Sequence, residues 1–344
     1  MKTVGIVTLT DMYNYGNSLQ NYAVKTVLGR LGYDAKTIHI SYGGIKVKEV
    51  IRSFVKRTPY NKKLLSFLLF EREYLDMTYG KKVDEFNDEF DFFVVGSDQV
   101  WNTSWYDQYP FMKDVYLLTS VSDSKKVAFS ASFGIDEVKS KYRHVFSTEL
   151  AKFKALSVRE EVGKKIINSL TGKNPTVLLD PTMLLTAEDW IKIEKKPKYA
   201  EDGYILTYFL SDKCEKAQEQ LDIIKNGRNV YELLNSDDKI VGAAGPAEFI
   251  WLINHADLIL TDSFHACVFS FLFNKPFIVY DRNGKDCNMN SRLDTLLKKF
   301  DLERKYAGSG LENDLWEFDY KNGYKQLEVE RQKATDFLRK ALES

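Results

Sequence analysis

One histidine in this chain stands where chemistry is expected. In the run Ala256-Asp257-Leu258-Ile259-Leu260-Thr261-Asp262-Ser263-Phe264-His265-Ala266-Cys267-Val268-Phe269, residues 258–260 read as a short buried strand and 264–273 as an apolar helix. Asp262 or Ser263 is a ready N-cap at the join. His265 therefore falls in the first turn of a helix that opens at the carboxyl end of a strand. Ligands of open α/β folds gather at such ends, and the amides of a helix start attract anions. A core histidine satisfied by a backbone carbonyl is the other reading of the same position.

Three more loops follow strand-like runs. Asp11-Met12-Tyr13-Asn14-Tyr15-Gly16-Asn17-Ser18 opens a helix. In it Gly16 can take a positive φ, Asn17 or Ser18 can cap, and Gln20 and Asn21 can hydrogen-bond a sugar, or the loop is a simple capped turn. Gly96-Ser97-Asp98-Gln99-Val100-Trp101-Asn102 gathers a carboxylate, two amides and an indole at one strand end. Carbohydrate sites favour that mixture: Trp101 offers a stacking face, and Asp98, Gln99 and Asn102 offer partners for hydroxyls. Asp98 could act as general base toward an attacking hydroxyl, or cap a helix. In Ser157-Val158-Arg159-Glu160-Glu161, Arg159 ends a short strand and suits a bidentate grip on carboxylate or phosphate, or pairs with Glu160 or Glu161. Past His265, Asp281-Arg282-Asn283-Gly284 and Asn290-Ser291-Arg292 add two guanidinium groups, Arg282 and Arg292, expected near the same cleft.

The familiar nucleotide and hydrolase signatures are missing. There is no Gly-x-Gly-x-x-Gly, Gly-x-x-x-x-Gly-Lys-Ser/Thr, Gly-x-Ser-x-Gly or His-Glu-x-x-His. Four histidines, with His39, His144 and His255 scattered, argue against a metal centre.

These loops must be held by alternating elements. Strand-like runs at 4–9, 35–40, 92–95, 127–130, 156–158 and 177–179 alternate with helical patterns at 19–31, 142–153 and 162–169. A second series follows: strands at 204–209, 229–233, 258–260 and 277–280, with helices at 215–224, 247–254 and 264–273. Such alternation predicts two βαβ domains with parallel sheets. The turn Asp180-Pro181-Thr182 and the polar run 194–202 mark the boundary. The expected domains are 1–185, carrying a basic amphipathic insertion at 45–80, and 186–326. A helix at 327–344 would pack back on the first.

Composition narrows the class. The chain has 344 residues, with 49 basic and 49 acidic side chains, so no global field draws it to nucleic acid. Three cysteines without a Cys-x-x-Cys pair suit a reducing compartment, and no signal peptide or spanning run is visible, so a cytoplasmic protein is expected. Within 45–69, Lys46, Lys48, Arg52, Lys56, Arg57, Lys62 and Lys63 interleave with Ile51, Phe54, Val55, Leu64, Leu65 and Phe67. That segment could rest on the anionic inner face of a membrane, or be a solvated face over a core or dimer contact.

Together these runs resemble the polysaccharide pyruvyl transferase family. The resemblance is carried in order by Asn14-Tyr15-Gly16-Asn17 with Leu19-Gln20-Asn21-Tyr22-Ala23, by Val95-Gly96-Ser97-Asp98-Gln99-Val100-Trp101-Asn102, and by Phe129-Ser130-Ala131-Ser132-Phe133-Gly134. It continues through Ser157-Val158-Arg159-Glu160, Leu179-Asp180-Pro181-Thr182, Thr261-Asp262-Ser263-Phe264-His265-Ala266, Asn274-Lys275-Pro276-Phe277 and Ser291-Arg292. It implies a GT-B-like fold of two Rossmann-like domains facing across a cleft. It also implies transfer of a pyruvyl group from phosphoenolpyruvate to two hydroxyls of one sugar, in a surface polysaccharide or lipid-linked oligosaccharide, without metal or cofactor. On this resemblance His265 and Asp98 are catalytic, and Arg159, Ser263, Phe264, Arg282 and Arg292 hold the donor. Gly16, Asn17, Gln20, Asn21, Gln99, Trp101 and Asn102 hold the acceptor. One departure stands out: Ser263 occupies a position, two before the histidine, where pyruvyl-transferring members tend to carry arginine. A sugar-nucleotide glycosyltransferase and a non-catalytic glycan binder are the alternatives on the same scaffold.

Overall fold

The computed structural model describes residues 1–10, 13–40, 59–282, 290–309, 316 and 318–343, without the side chains of 59–61, 290 and 291. The chain divides into two compact units. Unit 1 comprises Met1–Val47, Glu71–Leu184 and Val329–Ser344, and unit 2 comprises Lys48–Phe70 and Leu185–Glu328. Eleven strands are described: β1 Thr3–Val7, β2 Asp34–Ile40, β3 Met77–Gly80, β4 Phe92–Val95, β5 Lys126–Ala131, β6 Ala155–Val158, β7 Thr176–Val177, β8 Tyr204–Tyr208, β9 Asn229–Glu232, β10 Leu258–Thr261 and β11 Phe277–Val279. The helices used below are α1 Tyr15–Arg30, α2 Pro59–Tyr74, α3 Ser140–Ala151, α4 Glu161–Thr171, α5 Glu215–Ile224, α6 Pro246–Asn254, α7 Phe264–Leu272, α8 Asn290–Lys299 and α9 Lys321–Glu343.

Unit 1 is a parallel sheet in the order β3-β2-β1-β4-β5-β6-β7. Its central strands are buried on both faces, which is why β4 reads Phe-Phe-Val-Val rather than alternating. Even Lys126, at the start of β5, is covered; Asp123 (3.1 Å) and Glu149 (3.4 Å) neutralise it. The strand order reverses between β1 and β4, so the loops after those two strands frame the crevice where such sheets bind ligands. The C-terminal part of α9 belongs to this unit. Arg331 Nε donates to the Met183 carbonyl (2.7 Å), Lys333 Nζ donates to the Val177 carbonyl (3.0 Å), and Phe337 stacks on Phe129.

Unit 2 is a four-stranded parallel sheet ordered β11-β10-β8-β9, with its reversal between β8 and β10. Helix α7 is buried at every position and α6 at nearly every one, so both are apolar all round instead of amphipathic. The two parallel sheets with their crossover helices make this a pair of Rossmann-like units.

Several local expectations change. Helix α1 starts at Tyr15 and is capped by Asn14, whose side chain accepts from Asn17 N–H (3.3 Å), so neither Asn17 nor Ser18 is the cap. Gly16, expected at a positive φ, lies inside that helix. Strand β3 was not anticipated, because a half-exposed four-residue edge strand carries almost no periodicity. Residues 59–70 of the expected first-domain insertion group with unit 2, where Ser66 Oγ donates to the Ala243 carbonyl (2.9 Å). Lys46, Lys48, Ile51, Arg52, Phe54, Val55, Lys56 and Arg57 lie outside the described residues. No helix among the described residues is long and apolar enough to cross a membrane.

Gly96 closes β4 at φ +117°, and an added Cβ would sit 2.4 Å from the Phe129 carbonyl oxygen. Backbone strain and backbone crowding act together there, so Gly96→Ala is expected to lower unfolding free energy by about 2–4 kcal/mol. Urea denaturation measures it, and an unchanged midpoint would contradict the assigned backbone.

Candidate functional site

Unit 2 builds its candidate site at the strand reversal. Thr261 ends β10 and turns its hydroxyl back onto the Tyr208 carbonyl (2.6 Å), while Ser263 N–H donates to Thr261 Oγ1 (2.9 Å). Between them Asp262 is fully buried. Its carboxylate accepts from Leu210 N–H (2.7 Å), Ser211 N–H (2.9 Å) and Ser211 Oγ (2.7 Å), tying the end of β10 to the chain leaving β8. Ser263 then caps α7, accepting from Ala266 N–H at 3.5 Å, so of the two capping candidates the serine serves. His265 follows in the first turn, buried to 8% exposure, edge-on to Phe264 with ring centroids 5.3 Å apart.

The guanidinium groups of Arg282 and Arg292 join this turn. Arg282 lies past β11; its Nε donates to the Asp262 carbonyl (3.3 Å) and sits 4.0 Å from the Asp262 carboxylate. Arg292, in the first turn of α8, lies over the Phe264 ring at 5.9 Å. Both arginines are nearly buried. Tyr208 completes the wall: burial pushes its phenol well above the usual range, against the opposing pull of Arg282 and a hydrogen bond with Ser263. Burial likewise raises the Cys267 thiol, with Asp262 adding to the effect, so this cysteine is an inert packing group. Among the described residues, two guanidiniums, an imidazole and a helix N-terminus meet one carboxylate that accepts three hydrogen bonds. Such a corner favours an anion.

Unit 1 has its own polar centre at the ends of β4, β6 and β7. Arg159 is 4% exposed and committed inward, with Nη1 on Asp180 Oδ2 and Nη2 on Asp98 Oδ1 (3.4 Å). Burial opposes its charge, but Asp180, Asp98 and Glu160 outweigh that and hold its pKa above the ordinary value. Asp180 also accepts from Thr182 N–H (2.9 Å) and Thr182 Oγ1 (2.6 Å). Glu160 turns away from Arg159's fork to accept from Ser132 Oγ (3.1 Å) and Phe133 N–H (2.7 Å). Arg159, expected to hold the donor's carboxylate or phosphate, has its planar fork on two buried aspartates, Asp180 and Asp98. Asp180, read from sequence as part of a boundary turn and of the family resemblance, is the partner that was missed. A buried arginine ending β6 demands a carboxylate on a neighbouring strand end, and β7 supplies it.

Asp98 sits at φ 57° and is 4% exposed, with Oδ1 also accepting from Gln99 N–H (2.9 Å). It caps no helix; Asn102 does, accepting from Ser104 N–H (3.0 Å) and donating to Gln99 Oε1 (2.8 Å). Trp101 is corrected outright. Its indole is fully buried, donates to the Tyr116 carbonyl (2.9 Å) and packs on Phe133 and Phe153, leaving no face for a sugar. Gln20 and Asn21 are structural ties as well. Gln20 Nε2 donates to Thr8 Oγ1 (2.8 Å) and Gln20 Oε1 accepts from Ser97 N–H (3.1 Å), joining the ends of β1 and β4, while Asn21 Oδ1 accepts from Thr37 Oγ1 (2.8 Å). Asn17 differs: its Oδ1 is buried at the β1–β4 reversal with no hydrogen-bond partner among the described residues.

Two parallel sheets with crossover helices define an α/β protein of two Rossmann-like units. The sequence profile described as polysaccharide pyruvyl transferase matches residues 14–284, and the chain belongs to that family. Among curated proteins no sequence match was found. Similar solved structures include a functionally uncharacterized protein from Klebsiella pneumoniae, 13% identical over 90% of this chain and 93% of that one, with a TM-score of 0.47. Two others are UDP-N-acetylglucosamine 2-epimerases. That of Rickettsia bellii is 11% identical, covering 100% of this chain and 97% of its own, TM-score 0.48. That of Methanocaldococcus jannaschii is 15% identical, covering 97% and 99%, TM-score 0.45.

Removing Arg159 would strand Asp98 and Asp180 as buried charges. Arg159→Met is expected to cost about 3–5 kcal/mol of stability, part of it recovered by adding Asp180→Asn. Equilibrium unfolding of the two variants checks this; a single variant within about 0.5 kcal/mol of wild type would show the arginine uncommitted.

Proposed function

We propose that this protein transfers a pyruvyl group from phosphoenolpyruvate to two hydroxyls of a sugar in a polysaccharide or lipid-linked oligosaccharide, closing a cyclic ketal. The observation that carries the reading is the cluster of His265, Arg282 and Arg292 at the N-terminus of α7, in a member of the polysaccharide pyruvyl transferase family. Phosphoenolpyruvate is small and carries a carboxylate and a phosphate. Two guanidinium groups and a helix start suit those two anions better than they suit a nucleotide base. Arg282 also answers the departure at Ser263: a guanidinium reaches the same turn from the strand that follows, so charge is retained where the serine has none.

The chemistry assigns roles. Protonation of C3 makes C2 electrophilic; a sugar hydroxyl then adds to C2 and gives up its proton. The C2–O bond to phosphate breaks, inorganic phosphate leaves, and the second hydroxyl closes the ketal with loss of its own proton. One proton ends on C3 and one on phosphate. His265 is positioned by the α7 cap to move a proton at the donor, with Arg282 and Arg292 stabilising the leaving phosphate. On the acceptor side Asp98 would take a hydroxyl proton, held in place by Arg159, and Asn17 Oδ1 would accept from a sugar hydroxyl.

Ligand-induced stabilisation tests the donor. Saturating phosphoenolpyruvate is expected to raise Tm by ~5 °C, and Arg282→Met and Arg292→Met should each weaken binding by about tenfold or more. His265→Ala should keep most of the shift. A shift produced by UDP-sugars and not by phosphoenolpyruvate would instead support glycosyl transfer.

A further inference from the structure

The first unit carries a second polar cluster away from Asp98, at the carboxyl ends of its two outer strands. His39 on β2 and Tyr79 on β3 are direct register partners, so their side chains rise from the same face of the sheet. Their rings lie 5.4 Å apart. Thr10, on the chain leaving β1, hydrogen-bonds His39 Nδ1 through its hydroxyl at 2.8 Å. From α2, Glu71 joins the same neighbourhood, near enough to Tyr79 to act on its phenol.

The states of these groups define what they can take. Tyr79 is 66% exposed, a large ring left facing solvent on an edge strand. Glu71 is the reverse, only 7% exposed. Burial raises its pKa to about 7, so near neutrality the carboxyl can both donate and accept. Burial also lowers the His39 pKa, which favours a neutral imidazole. On α1, Lys25 donates its Nζ to the Tyr74 carbonyl (3.1 Å). A flat exposed ring beside hydroxyl, imidazole and carboxyl groups suits a neutral polyhydroxylated ring: an apolar face on Tyr79 and hydroxyls toward Glu71 and His39.

We propose that Thr10, His39, Glu71 and Tyr79 form a pyranoside-binding subsite on unit 1, one that grips a sugar residue of the glycan. The inference rests on the reading of this chain as a carbohydrate-directed transferase, and is independent of which donor it uses. It also places sugar stacking on an exposed tyrosine, a role that the buried Trp101 cannot fill.

Saturation-transfer NMR on the full chain tests it, with the methyl β-glycosides of glucose, galactose, N-acetylglucosamine and N-acetylmannosamine as probes. At least one probe should receive saturation from the protein, and Tyr79→Ala and Glu71→Gln should each weaken its binding by about tenfold. Tyr79→Leu replaces the alanine variant if that fails to fold. No transfer to any probe, or either variant binding as wild type does, overturns the subsite. The phosphoenolpyruvate shift, measured on the same variants, separates the outcomes: a failed donor leaves this test intact, and a failed subsite leaves the donor shift unchanged.

Discussion

The carboxylate of Asp262 is the joint on which the candidate donor site depends. A fully buried carboxylate is costly unless its oxygens are satisfied, and this one accepts two backbone amides and a hydroxyl from residues 210 and 211. Those bonds lock the end of β10 against the segment leaving β8. The next residue can then cap α7, and the histidine two further on is aimed by the helix start rather than by a flexible loop. The backbone carbonyl of the same aspartate receives Arg282 Nε. One residue therefore fixes the helix, the imidazole and a guanidinium relative to each other, while its own charge is spent on two amides and a hydroxyl.

Unit 1 solves an analogous problem with opposite signs. There the buried charge is a guanidinium, and the partners are aspartates on neighbouring strand ends. Holding Asp98 at a positive φ beside Gly96 costs local strain, and the ion pair with Arg159 is one of the interactions that over-determine the loop. Gly134 belongs to the same tight packing, since a Cβ on it would fall 2.2 Å from Gln99 Oε1. The strand ends of both units thus use buried charge to set loop geometry, the first with an arginine at the centre and the second with an aspartate.

Much of this was legible in the sequence because parallel sheets write themselves as apolar runs separated by helical periods. The βαβ alternation and the placement of His265 in a first turn both follow from that signal. Caps and polar ties were less legible. Asn14, Asn17 and Ser18 have the same capping chemistry, and only the fold selects Asn14. Gln20 and Asn21 look like ligand-binding groups, yet Gln20 joins the ends of β1 and β4 and Asn21 bonds Thr37 on β2, pairings that require knowledge of sheet order. Trp101 in a polar loop looks exposed, but its turn folds inward onto Phe133 and Phe153. For Arg159 the sequence offers a ligand or Glu160 and Glu161 as partners, and nothing in it shows that Asp180 lies beside the guanidinium. In each case a residue of the right chemistry was found, and its partner was hidden by topology.

The most direct test of the central claim is a crystal structure of the protein soaked with phosphoenolpyruvate. The account predicts ligand density at the N-terminus of α7, with Arg282, Arg292 and His265 within hydrogen-bonding distance and the Arg159–Asp180 pair unbroken. Density that instead engages Arg159, after its release from Asp180 and Asp98, would contradict it.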